Sequence, residues 1–192
     1  FLTILKIINI INLMKLIILR HGEREPQYHH YTTSLTEKGK QQAKNLANTL
    51  PHDIDQIYCS AFIRTVNTIA PYCEKYGKKI KIEYSFYQNC CMPDYKYNDY
   101  LCNNKNLLEN LKIKNSIEKN YTSKILSSNI NFNPTTVDIN NRVFPFIYKL
   151  CKTYNKTNET ILIVTHKTIC NTIKKYFDKN IDITSDFPQG HY

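Results

Sequence analysis

The sequence predicts an α/β fold: a three-layer sandwich in which a mostly parallel sheet is flanked by helices. Three observations predict it. Apolar runs of strand length alternate with apolar positions at helical spacing, the signature of strands joined by crossover helices. Two of those runs end at histidines, His21 and His166. A long Asn-, Lys- and Tyr-rich stretch over residues 89–135 has no sustained period, and reads as an irregular insertion, or cap, before the last strand–helix unit.

Taken in order, residues 1–13 (FLTILKIINIINL) are apolar but interrupted by Lys6, and Lys15 follows shortly. A membrane-spanning helix needs about 20 predominantly apolar residues, and a secretory leader needs a basic start and a small-residue cleavage site. Residues 1–13 are therefore expected to be an N-terminal extension outside the fold, with residues 14–192 forming one domain. Leu16–Leu19 reads as a buried strand ending at Arg20-His21-Gly22. Ala43, Leu46, Ala47 and Leu50 fall at i, i+3, i+4 and i+7 and predict a helix, with Thr36 as its N-cap and Pro51 as its stop.

Ile54–Cys59 predicts a second strand. A helix follows through Ile63, Val66 and Ala70, with Gly77 just past its end. Ile80–Tyr84 predicts a third strand, and residues 106–113 a short helix within the insertion. Val143, Ile147, Leu150 and Cys151 restore a helical stripe, with Pro145 either kinking that helix or lying in its first turn. Ile161–Val164 is the last strand, ending at Thr165-His166, and Ile169, Ile173 and Phe177 mark a closing helix.

Composition narrows the function. Hydrophobic residues at 42% and charged residues at 22% are ordinary globular values and argue against general disorder. Seven cysteines without a C-x-x-C pair argue against both a disulfide framework and a zinc finger, and favour buried reduced thiols in a cytoplasmic setting. A net charge of +10 favours anionic partners. No basic helix, zinc pattern or RNA-binding aromatic motif accompanies that charge, so specific nucleic-acid recognition is not expected, nor is membrane association.

The basic residues are lopsided. Only Arg20, Arg24, Arg64 and Arg142 are arginines; the rest are lysines. A single strand-end histidine is most often a structural hydrogen-bonding group, and a single arginine a surface ion pair. Here three of the four arginines sit at strand-to-helix junctions, Arg20 and Arg24 flanking His21 and Arg64 opening the helix after the second strand, where a phosphate could also meet backbone N–H groups. Arginine offers phosphate oxygens a rigid bidentate fork that lysine lacks. The pattern points to oriented recognition of a phosphoryl group.

These residues also carry a family resemblance. Leu19-Arg20-His21-Gly22-Glu23-Arg24 resembles the opening motif of the histidine phosphatase (phosphoglycerate mutase-like) superfamily, branch 1. The likeness continues in order through Leu35-Thr36-Glu37-Lys38-Gly39, Tyr58-Cys59-Ser60-Ala61-Phe62-Ile63-Arg64-Thr65 and Ile163-Val164-Thr165-His166, across roughly residues 14–178. The R-H-G-E-R form looks most like the phosphotyrosine phosphatases related to suppressors of T-cell-receptor signalling.

The resemblance implies a phosphomonoester hydrolase acting on a phosphorylated small molecule or phosphoprotein, with no cofactor and no metal. His21 would be the nucleophile that becomes phosphohistidine. Arg20, Arg24, Arg64 and His166 would surround the phosphoryl oxygens, and Gly22 would permit close backbone packing beneath the nucleophile. It implies further that the C-terminus lacks the edge strand the family normally adds.

Two positions depart from the family. Gln88 falls where a glutamate usually protonates the leaving group, and an amide cannot deliver a proton. Glu83 is the candidate substitute, with Glu23 and Asp94 behind it. Lys167 stands where a small residue is usual. The expected preference is therefore for good leaving groups, aryl phosphates or phosphotyrosine. The alternatives are a catalytically weak phosphate- or phosphoprotein-binding module and a phosphoglycerate mutase-type phosphotransferase.

Overall fold

In a computed structural model, residues 4–10, 14–26, 32–88, 116–126 and 134–178 are described. The strands are β1 (Ile4–Ile10), β2 (Met14–Arg20), β3 (Ile54–Cys59), β4 (Ile80–Ile82) and β5 (Thr160–Thr165). The helices are α1 (Glu37–Thr49), α2 (Ile63–Tyr76), α3 (Thr136–Tyr154) and α4 (Lys167–Asp178). They form a five-stranded sheet in the order β1-β2-β5-β3-β4, with β5 at its centre. The pairs β2–β5, β3–β5 and β3–β4 are parallel; β1–β2 is antiparallel.

The alternation of side chains along a strand builds the layers. Leu16 and Ile18 of β2, with Ile161 and Ile163 of β5, face one core together with Val143, Ile147 and Leu150 of α3 and Ile169, Ile173 and Phe177 of α4. Ile17, Leu19, Leu162 and Val164 face the opposite core with Leu46 and Leu50, and with Val66, Ile69 and Cys73 of α2. A strand buried on both faces must be apolar throughout, which is why β5 reads as an unbroken run. The three-layer α/β architecture is the one the sequence predicts.

The local signals that shaped the prediction recur as contacts. Thr36 caps α1 by accepting from the Gly39 amide. Gly77 closes α2 at φ 64°, the left-handed conformation glycine adopts without steric cost. Cys59, Cys73, Cys151 and Cys170 are free thiols.

Two expectations are revised and one open alternative is decided. The backbone of β1 runs antiparallel to β2 from Ile4↔Leu19 to Ile10↔Met14, so part of the segment set outside the fold extends the sheet edge. Its Ile-rich, β-favouring composition suits that pairing. β4 stops at Ile82 rather than Tyr84, because the Glu83 side chain accepts from the Ser85 amide and draws Tyr84–Phe86 into a 3-10 turn. Pro145 lies well inside α3, not in its first turn. The short helix over 106–113 and the C-terminal residues beyond 178 fall outside the described residues.

Of the insertion, residues 116–126 return to the sheet edge. Ile117 bridges Ile80 in parallel, and the Glu118 amide donates to the Ile80 carbonyl at 2.9 Å.

Candidate active site

The adjacent carboxyl ends of β2, β5 and β3 meet at one point. The His21 amide donates to the Thr165 carbonyl at 2.9 Å and the Ser60 amide to the Val164 carbonyl at 3.0 Å, locking the three strand exits together. Sites in open α/β sheets form at such carboxyl ends. The rings of His21 and His166 stand edge to face, 5.2 Å between centroids.

His21 is 8% exposed, and its Nδ1–H donates to the Gly22 carbonyl at 2.7 Å. A carbonyl can only accept, so the proton sits on Nδ1 and the Nε2 lone pair is left available. Arg64 Nε donates toward that Nε2 at 3.4 Å. Burial first, and then the Arg64 charge, hold the His21 imidazole neutral by lowering its pKa to about 3; the charges of Arg20 and Arg24 act in the same direction.

His166 is wholly buried, and its pKa lies well below the usual value for the same leading reasons, burial and Arg64. Its Nε2 pairs with Ser60 Oγ at 2.9 Å, while Arg64 Nη2 reaches its Nδ1 at 3.4 Å. Because the guanidinium can only donate, Nδ1 accepts and the ring proton is on Nε2, given to Ser60.

Arg64, 1% exposed, thus spans both histidines from the first turn of α2. Phe62 supports it from below: the guanidinium carbon lies 4.3 Å from the ring centroid, and the same ring packs edge-on against His166 at 4.6 Å.

The backbone beneath the nucleophile is packed tightly. The Gly22 amide donates to Thr68 Oγ1 at 2.9 Å, and Thr68 in turn donates to the Arg64 carbonyl at 2.6 Å. A Cβ on Gly22 would stand 3.0 Å from the Gly39 carbonyl oxygen, and one on Gly39 would stand 2.0 Å from that of Glu23. Gly39 is therefore required by the close approach of the 21–24 segment to α1, and Gly22 packs tightly against it.

The sequence-derived set converges in part. His21, Arg64, His166 and Gly22 are in mutual contact or one residue removed from it. Arg20 and Arg24 are half-buried and act on His21 through their charge; Arg24 Nη1 also donates to the Glu25 carbonyl at 2.8 Å. Glu23 is directed away, in an ion pair with Lys38 at 2.8 Å and a hydrogen bond from Thr36 at 3.0 Å. These contacts hold its carboxyl below the usual range, which does not suit a proton donor. Asp94 lies outside the described residues. Lys167 is exposed at the start of α4.

Glu83, the acid candidate, has a different position from the one expected. It is fully buried, and its two oxygens accept from the Ser85 amide (2.9 Å), Ser123 Oγ (2.8 Å), the Lys124 amide (3.2 Å) and the Tyr121 hydroxyl. Three of those donors belong to the insertion, so Glu83 anchors it to the end of β4. A carboxylate satisfied by four donors serves structure rather than proton delivery. Sequence reasoning also passed over Ser60, Phe62 and Thr68, which carry no local signal beyond their place next to Arg64.

Among the described residues no group of three or more His, Cys, Asp or Glu side chains could hold a metal ion. No helix among them is long and apolar enough to cross a membrane.

The chain is similar to known phosphatases in sequence and fold. The family model of the histidine phosphatase superfamily (branch 1) matches residues 16–96. A Schizosaccharomyces pombe protein named "Probable phosphatase" is 26% identical over 179 residues, covering 90% of this chain and 78% of that one. The ecdysone phosphate phosphatase of Bombix mori, solved with tungstate, superposes with a TM-score of 0.62 at 16% identity, covering 92% and 82% of the two chains. A mycobacterial glucosyl-3-phosphoglycerate phosphatase, solved with inorganic phosphate, superposes with a TM-score of 0.57 at 16% identity, covering 85% and 78%.

Proposed function

We propose that the chain, whose residues 16–96 match the family model of the histidine phosphatase superfamily (branch 1), is a histidine-dependent phosphatase that hydrolyses phosphomonoesters through a phosphohistidine on His21, favouring aryl phosphates or phosphotyrosine. The observation that carries this reading is the Nδ1–H hydrogen bond from His21 to Gly22, which frees Nε2 beside Arg64.

His21 Nε2 attacks phosphorus in line with the ester oxygen. The P–N bond forms, the P–O bond breaks, and the leaving oxygen takes the electron pair. Arg20, Arg24, Arg64 and His166 hold the phosphoryl oxygens, acting most strongly where negative charge builds in the transition state. Water then attacks the phosphohistidine, the P–N electron pair returns to Nε2, and inorganic phosphate leaves. For His166 to donate to an arriving oxygen, either its Nε2–H leaves Ser60 for that oxygen or Nδ1 takes a proton in place of accepting from Arg64.

The leaving-group preference follows from residue 88. Gln88 succeeds Tyr87, whose ring packs at 4.8 Å on Phe62, itself in contact with His166. An amide there can donate a hydrogen bond but no proton, so a phenolate departs more readily than an alkoxide.

Brief exposure to a ³²P-labelled aryl phosphate, followed by denaturation in base, should leave label on His21 and none in His21→Asn. The same Gln88 also favours a second reading, a binding module that retains the cradle without turnover. Phosphate binding with no label on the wild-type protein would establish that reading and remove the first.

A further inference from the structure

We infer that Arg142 is a positioning residue that holds the 84–87 segment against the active site and thereby sets where Gln88 stands. The inference rests on the phosphatase reading for its catalytic consequence, while the clamp itself is read from contacts alone. Arg142 is the one arginine of the four that lies far from the β2 and β3 exits in sequence, on α3. Its Nη1 donates to the Tyr84 and Ser85 carbonyls, both at 3.2 Å, and its Nη2 to the Tyr87 carbonyl.

The remaining carbonyl of the segment, Phe86, accepts from Thr165 Oγ1 at 3.0 Å, and Thr165 immediately precedes His166. Every carbonyl from Tyr84 to Tyr87 is thus met by a side chain, three of the four by one guanidinium. Such a fork is geometrically rigid, and a lysine ammonium is a point donor on a flexible stem.

The segment is also the only described route from the sheet to residue 88. Glu83 fixes its start, Arg142 spans its middle, and the Tyr87 ring at its end lies 5.9 Å from the Arg142 guanidinium carbon and packs on Phe62. Phe62 touches both Arg64 and His166. Displacing Arg142 would therefore release Gln88 and loosen the aromatic support under the two groups that face the phosphoryl site, without removing any group that touches it.

The test compares Arg142→Lys and Arg142→Met with the wild-type chain, each alone and combined with Gln88→Glu. The expected result is amide hydrogen exchange accelerated about tenfold or more at Phe86, Tyr87 and Gln88, with β5 and α2 amides unchanged. Turnover of an aryl phosphate should fall about tenfold or more with KM altered little, more in the Met than in the Lys variant. Any gain of alkyl phosphate turnover from Gln88→Glu should disappear when Arg142 is also changed.

Exchange unaltered at 84–88 in both variants overturns the inference, as does acceleration spread evenly over all strands, which marks general destabilisation. If Arg142→Met does not fold, Arg142→Lys decides by the same readouts. Failure of the phosphatase reading is separable: it appears as a wild-type protein that His21 labelling leaves unlabelled, whatever the exchange pattern shows.

Discussion

Arg64 Nε and His21 Nε2 stand 3.4 Å apart, at the meeting point of α2 and the end of β2. Burial first, and then the cation placed there, keep the imidazole from taking a proton and so keep its lone pair ready at neutral pH. The same guanidinium reaches His166, so one side chain organises both histidines.

Replacing Arg64 should therefore damage chemistry and anion binding together. Arg64→Met is expected to lower kcat/KM on an aryl phosphate about 10²-fold or more, the usual effect of removing one preorganised donor to a developing negative charge. It should also abolish the rise in melting temperature that inorganic phosphate gives the wild-type protein, since a ligand stabilises only the state it binds. A variant that keeps the full phosphate-induced shift would contradict the placement of Arg64 in the cradle.

Acid should unfold the protein through its histidines. The folded pKa of His21 is about 3, and that of His166 is lowered as well, while an unfolded imidazole titrates near 6.5. Below pH 6.5 the unfolded chain therefore binds more protons than the folded one. The His21 contribution to stability is complete above that pH and is lost as pH falls toward 3, by about 1.4 kcal/mol per pH unit, and His166 acts in the same direction. Urea unfolding between pH 7 and 4 measures this slope. His21→Asn, which cannot titrate, should show a gentler slope; an identical one would refute the assignment.

Gln88→Glu should restore a proton donor at the loop end and raise turnover of an alkyl phosphate by about tenfold or more, with aryl turnover changed far less. The comparison is one pair of substrates on two proteins. Equal changes on both substrates would show that residue 88 does not serve the leaving group.

Glu83→Gln places an amide NH2 among four hydrogen-bond donors. At least one donor must lose its acceptor in a buried site, so unfolding free energy should drop by about 2–3 kcal/mol. Chemical denaturation measures the drop. Were Glu83 the acid, alkyl turnover per folded molecule would collapse while aryl turnover held; the structure predicts that both change in parallel.

Gly39→Ala should be among the most disruptive single-methyl additions, because the new carbon would meet the Glu23 carbonyl oxygen at 2.0 Å. The 21–24 segment would have to move away from α1. A cost of about 1–3 kcal/mol is expected from such overpacking, together with slower labelling of His21, whereas Gly77→Ala, with open space around it but a positive φ, should leave labelling unchanged.

Much of this protein is written locally. The apolar runs of β2, β3 and β5, the α1 cap at Thr36 and the α2 stop at Gly77 are short-range patterns, and each predicted its element. Arginine use in a lysine-rich chain singled out Arg20, Arg24 and Arg64 beside two strand-end histidines, because phosphate recognition needs a geometry that lysine does not supply.

What the sequence could not determine depends on partners distant along the chain. Glu83 looked like a replacement acid, and became an anchor only when Tyr121, Ser123 and Lys124 returned from the insertion to fill its oxygens. Arg142 had no role until α3 packed beside the 84–87 turn and brought three carbonyls within reach of one guanidinium. The tautomer of His21 depends on a single carbonyl at 2.7 Å. Periodicity and motif determine which side chains exist and which face they take, while hydrogen-bond partners and desolvation are set by packing, and only the folded chain decides that Glu83 holds the insertion while Glu23 pairs with Lys38.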